Sequence, residues 1–125
     1  MKEVISTPYA PQGLGPFSQA IRANGFVFVA GQLPIDSATR EIVAGDVTVQ
    51  SERVLQNLAA ILRAAGSSLD KVVRAGVFLK SMDDFGRFNE VYARYFPADP
   101  PARTTVEVTR LPGPILVEID VVALA

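Results

Sequence analysis

The chain reads as an α+β domain: a six-stranded, mostly antiparallel sheet with two helices on one face. Three observations predict it. Six short runs are apolar or alternate in the manner of strands. Two longer stretches between them carry apolar residues at helical spacing. Glycine, proline and capping residues separate the eight elements, giving the order β-β-β-α-β-α-β-β. Two helices are too few to cover both faces of such a sheet, so both are expected on one face. The other face then needs a second subunit.

The elements follow in order. Lys2 to Ser6 is a short β-type run ended by Pro8 and Pro11. "PQGLGP" (Pro11 to Pro16) is loop chemistry, because its glycines and prolines interrupt any regular element. Phe17 to Ala23 is expected as a second strand, and Asn24-Gly25 as a tight hairpin turn into the apolar run Phe26 to Ala30. Asp46 is placed to N-cap a helix running to about Ala65, with Val47, Leu55, Leu58, Leu62 and Ala65 on one stripe and Gly66 at C′. Lys71 to Lys80 is apolar on both alternations, as a central strand would be. "SMDD" resembles a capping box, Ser81 facing Asp84. Phe85, Phe88, Tyr92 and Phe96 then recur at helical spacing, as core residues do, until Pro97. Thr104 to Thr109 and Ile115 to Leu124 are the last two strands, divided by "RLPGP".

A chain of 125 residues fits one domain, here 1–125, with no repeat or linker. Apolar residues make up 49% and charged residues 20%, a globular balance. So small a domain gains from oligomerisation, which buries more apolar area. The net charge of −1 argues against a nucleic-acid partner. No apolar run is long enough to span a bilayer, and the N-terminus has no signal-like apolar region, so a cytoplasmic protein without a membrane partner is expected. There is no cysteine and no histidine. Thiolate catalysis, Cys-ligated zinc, Ser-His catalysis and the usual imidazole base are therefore excluded. Carboxylates, Arg, Lys, Tyr, hydroxyls and backbone remain.

Two places stand out. In "ILVEIDVVALA" Glu118 and Asp120 share one strand face with Leu116, Val122 and Leu124. Open to water, they are ordinary surface acids; under a partner subunit, a carboxylate there must be paired or hydrogen-bonded and can serve as a base. In "DPPARTTVEV" Arg103 stands at the junction of a proline-stiffened loop and a strand. It reads either as a solvated cation or as a planar fork for a carboxylate. Asn89 lies off the aromatic stripe, either exposed or facing a pocket. "GLGPFSQ" is a poor phosphate loop, its glycines suiting tight turns or close approach.

Taken together, "GPFSQA" (Gly15 to Ala20), "AGQLPID" (Ala30 to Asp36), "DFGRFNEVYARYF" (Asp84 to Phe96), "PARTTVEVTRLP" (Pro101 to Pro112) and "VEIDVVA" (Val117 to Ala123) resemble the reactive intermediate deaminase family, RidA or YjgF, over essentially the whole chain. The resemblance implies a chorismate-mutase-like fold and a homotrimer with ligand clefts between subunits. It implies that Arg103 grips a substrate carboxylate and that Glu118 orients or activates water, with Phe17, Gly31, Asn89 and Thr105 contributing to substrate binding. The implied activity is hydrolysis of enamines and imines of small 2-keto acids, such as 2-aminoacrylate and its 2-imino tautomer, to keto acid and ammonia with neither cofactor nor metal. Imines are already electrophilic, so positioning and proton transfer suffice. The chain departs from the family pattern in carrying Phe17 for a tyrosine, Ala30 for a serine or threonine, and Thr105 for a cysteine. The alternatives are a non-catalytic trimer that binds small carboxylates in a regulatory or chaperone-like role, and the ribonuclease activity long attached to the family name, which an acidic chain without histidine suits poorly.

Overall fold

A computed structural model describes residues 1–125. Its strands are β1 (Glu3–Ile5), β2 (Ala20–Ala23), β3 (Phe26–Gln32), β4 (Val72–Leu79), β5 (Ala102–Glu107) and β6 (Val117–Leu124). The helices are α1 (Val47–Ala64) and α2 (Phe85–Tyr95). One six-stranded sheet runs in the order β1-β2-β3-β6-β4-β5. All neighbours are antiparallel except β4 and β5, which are parallel. A parallel pair cannot be joined by a tight turn, and α2 supplies the crossover between those two strands.

The local signals act as expected. Asn24 and Gly25 both take positive φ, 53° and 83°, the conformation a two-residue hairpin loop needs between β2 and β3. The Asp46 carboxylate accepts a hydrogen bond from the Val49 amide at 3.2 Å, capping α1. Along β6 the alternation is complete: Val117, Ile119, Val121 and Ala123 are buried against the helices, and the even-numbered residues face the other way. The core under α1 and α2 is built from these residues with Leu55, Leu58, Leu62, Val77, Leu79 and Phe88.

Several features differ from expectation, among them the last strand, which begins at Val117 and not at Ile115. β2 begins at Ala20, not Phe17, because the buried Gln19 side chain is committed to the N-terminal loop. Its amide accepts from the Thr7 N–H at 2.7 Å and donates to the carbonyls of Thr7, Ala10 and Pro11. β3 runs on through Gly31 to Gln32, with a register shift between Val29 and Gln32. β5 begins at Ala102, so Arg103 lies inside the strand and not at its junction with the loop. Ser81 caps a short 3₁₀ turn, Met82–Asp84, its hydroxyl accepting from the Asp83 amide at 3.1 Å, while the Asp84 carboxylate pairs with Arg87 at 2.7 Å. The reciprocal box is not formed.

Candidate functional site

Arg103 is the second residue of β5, and its register partner on β4 is the fully buried Ala75, so its side chain points to the helix-covered face. There it lies beneath α2. Its guanidinium carbon is 4.7 Å from the centre of the Tyr92 ring, 5.4 Å from Phe88 and 5.7 Å from Phe85. The Asn89 side-chain oxygen accepts from Arg103 Nη2 at 2.8 Å. The aromatic stripe of α2 is thus more than core packing, for three of its rings wall a cation. Sequence spacing identified the stripe; the strand that lies opposite it was the missing information. Burial pushes the Tyr92 phenol up while the Arg103 charge pulls the other way, which leaves a neutral ring against the guanidinium at ordinary pH.

Arg103 is half-buried, yet no carboxylate of its own chain pairs with it. Thr105, two residues on and on the same face, holds a buried hydroxyl that has no hydrogen-bond partner. Arginine, asparagine and threonine therefore assemble into one polar cluster with aromatic walls. Such a planar fork, held on one side and unpaired on the other, suits a carboxylate ligand.

Glu118 lies elsewhere. Its register partner is Phe78 of β4, on the face opposite Arg103. Its side chain lies over Gly31 of β3: a Cβ added at Gly31 would fall on Glu118 Oε2 and stand 3.0 Å from Cδ. Only glycine admits the carboxylate there. Burial, and next the nearby Asp120 charge, push the Glu118 carboxyl above its usual range. A shallow hollow of about 290 Å³, bordered by Phe78, Arg110, Leu111 and both acids, opens in front of it. Phe17 belongs to neither group. It sits exposed on the N-terminal loop with its ring against Gly13 and Gly15. A second hollow of about 310 Å³, between that loop and the Asp36–Arg40 turn, contains none of the expected residues.

The geometry thus resolves into Arg103, Asn89 and Thr105 on one sheet face and Glu118 with Gly31 on the other. Residues 7–125 match the family model described as Endoribonuclease L-PSP. The chain belongs to this family. Its L-PSP relatives include a RutC family protein of Pyrococcus horikoshii, 55% identical over 98% of each chain. Another is the chloroplastic Reactive Intermediate Deaminase A of Arabidopsis thaliana, 45% identical over 98% of this chain and 65% of that one. Among solved L-PSP-type structures, RidA from an Antarctic Psychrobacter superposes with a TM-score of 0.94 at 37% identity, covering 98% of this chain and 99% of that one. Escherichia coli TdcF with bound serine superposes at 0.93, also 37% identical, over 98% of each. Family names thus include both an endoribonuclease and a deaminase, and the fold, with its two helices on one face of the sheet, is common to these L-PSP structures. No helix is long and apolar enough to cross a membrane.

Proposed function

We propose that this protein hydrolyses reactive enamine and imine intermediates of small 2-keto acids to the keto acid and ammonia, as a homotrimer with its sites between copies. The observation that carries the reading is Arg103: a half-buried guanidinium, braced by Asn89 and three rings, with no acid of its own chain to neutralise it. A small carboxylate is the ligand that completes it. The deaminase name of the Arabidopsis relative supplies the reaction class.

The sheet separates Arg103 from Glu118 within one chain, so a small substrate touching both must lie between two copies. Arg103 is on the edge strand β5, and Glu118 is on the face without helices. That face also exposes Phe26, Phe28, Val106 and Leu124, an apolar surface suited to a second copy.

With the carboxylate held by Arg103, the imine carbon is presented to a water beside Glu118 of a neighbouring copy. Water oxygen bonds to the carbon of the protonated imine, the C=N π pair moves to nitrogen, and Glu118 takes the water proton. In the collapse Glu118 returns that proton to nitrogen, the C–N bond breaks, and ammonia leaves with its electron pair. The C=O bond forms as the hydroxyl proton departs to solvent. An enamine such as 2-aminoacrylate enters after protonation at C3 gives the protonated 2-imino form. General acid–base help of this kind contributes roughly 10²–10⁴-fold.

The test is to generate imines from a panel of amino acids with an amino-acid oxidase and follow ammonia release with and without the protein. Faster hydrolysis of carboxylate-bearing imines is expected. Carboxylate binding without any acceleration would make the protein a small-carboxylate binder instead. Sedimentation equilibrium at micromolar concentration checks the assembly, and a monomer there removes the inter-copy site.

A further inference from the structure

Beside Glu118 stands a second carboxylate to which the proposed chemistry gives no task. Asp120 projects from β6 on the same face, one alternation further along. Its register partner is Gly76 of β4, and a Cβ added there would fall on Asp120 Oδ1 and stand 3.4 Å from Cγ. The two acids therefore lie down on opposite neighbours of β6, Glu118 over Gly31 of β3 and Asp120 over Gly76 of β4. Each occupies a notch that any larger residue would close. Neither accepts a hydrogen bond nor forms an ion pair within the chain. A half-buried acid left without a partner contributes nothing evident to the fold.

We propose that Asp120, seated in the notch left by Gly76, is a positioning residue that fits Glu118 to carry a proton between water and the departing nitrogen. A fixed negative charge beside a carboxylate makes proton uptake by that carboxylate more favourable. A stronger base takes the water proton more readily, and the same group then has a proton to return in the collapse. The raised Glu118 carboxyl, with Asp120 its second cause after burial, agrees with this placement. Within its own chain, the other groups facing Glu118 leave Asp120 as its principal charged neighbour. β3 offers Gly31 and β4 offers the uncharged Phe78 and Gly76, while Arg74, Lys80 just past the strand end, and Arg110 at the border of the hollow are exposed side chains.

The inference rests on the reading of Glu118 as the proton carrier, but its test does not depend on turnover. The Glu118 carboxyl carbon is titrated by NMR in the intact protein and in Asp120→Asn and Asp120→Ser, both of which delete the charge. In both variants the Glu118 midpoint is expected at lower pH than in the wild type, with melting temperature held. On carboxylate-bearing imines, the rising limb of kcat/KM against pH should move in the same direction. At neutral pH kcat should fall roughly three- to tenfold, with KM changed less than about twofold. A Glu118 midpoint unmoved in both variants overturns the inference whatever the activity. A moved midpoint in a protein that hydrolyses no imine keeps the coupling and removes only the proposed reaction.

Discussion

The two faces of β6 differ more sharply than any two elements of the molecule. Toward the helices it presents Val117, Ile119, Val121 and Ala123, each 3% exposed or less. Away from them it presents Glu118, Asp120, Val122 and Leu124, two acids among apolar neighbours with no helix above. One face is finished within the chain, and its contacts serve stability. The other holds Glu118 in a setting that disfavours its charge, a feature that recurs at sites of chemistry. Arg103 inverts the pattern, since the proposed carboxylate anchor is placed on the finished face, near its edge. The difference teaches that neither face alone supplies both ends of the proposed substrate.

The strongest way to break this contrast is Glu118→Gln, which keeps shape and removes the base. Turnover should fall about 10²–10⁴-fold while binding of a keto acid persists, because Arg103 is untouched. Stopped assays alongside calorimetric binding would check both halves, and undiminished turnover would assign Glu118 to structure. Next comes the finished face. Leu58→Ala, at a fully buried position of α1, should cost about 2–5 kcal/mol of stability at every protein concentration. Phe28→Ala on the open face should instead make the melting temperature depend more steeply on concentration. Denaturation followed over a dilution series distinguishes the two.

A smaller effect is expected at Arg103. A charge-assisted pair with a substrate carboxylate is worth roughly 1.5–3 kcal/mol, so Arg103→Ala should lower kcat/KM at least about tenfold. Arg103→Lys should recover only part, because an ammonium cannot make two parallel hydrogen bonds and stacks less well on the rings of Tyr92 and Phe88. Thermal melts should show both variants folded, and full activity of Arg103→Ala on carboxylate-bearing imines would exclude the anchor. The smallest effect is a pH dependence of stability. The folded Glu118 carboxyl lies above its unfolded value, so ionising it costs stability once pH rises through the folded midpoint. Glu118→Gln should therefore melt slightly above the wild type at neutral pH, and the gap should close as pH falls toward the ordinary glutamate range. Paired melts across that window check the sign.

Much of this was legible in the residues because the signals were local. The Asn24-Gly25 turn, the Asp46 cap and the β6 alternation each depend on a few neighbouring positions. So did the prediction that both helices share one face, which follows from counting elements. What the sequence left open depends on register between distant segments. Alternation within β6 assigns Glu118 to a face, and alternation within β5 assigns Arg103 to one. Whether the two faces agree is set by how each strand pairs with β4, through Ala75 opposite Arg103 and Phe78 opposite Glu118. No spacing in the chain encodes that. The Gln19 clamp escaped notice for the same reason, its partners Thr7, Ala10 and Pro11 belonging to a loop folded back on it. The Arg103 cage was half visible: the rings were in plain sequence, but not the cation they enclose.

The strand order has one further consequence, for biosynthesis. β6 is translated after β4 and β5, yet it fills the gap between β3 and β4. Until β6 is in place, the chain holds a three-stranded meander, β1-β2-β3, and a βαβ unit that cannot join, each with a bare central edge. Bare edges recruit foreign strands. The chain is thus most exposed to misassembly just before its sheet closes, and a released chain truncated ahead of β6 should be the species that molecular chaperones hold longest.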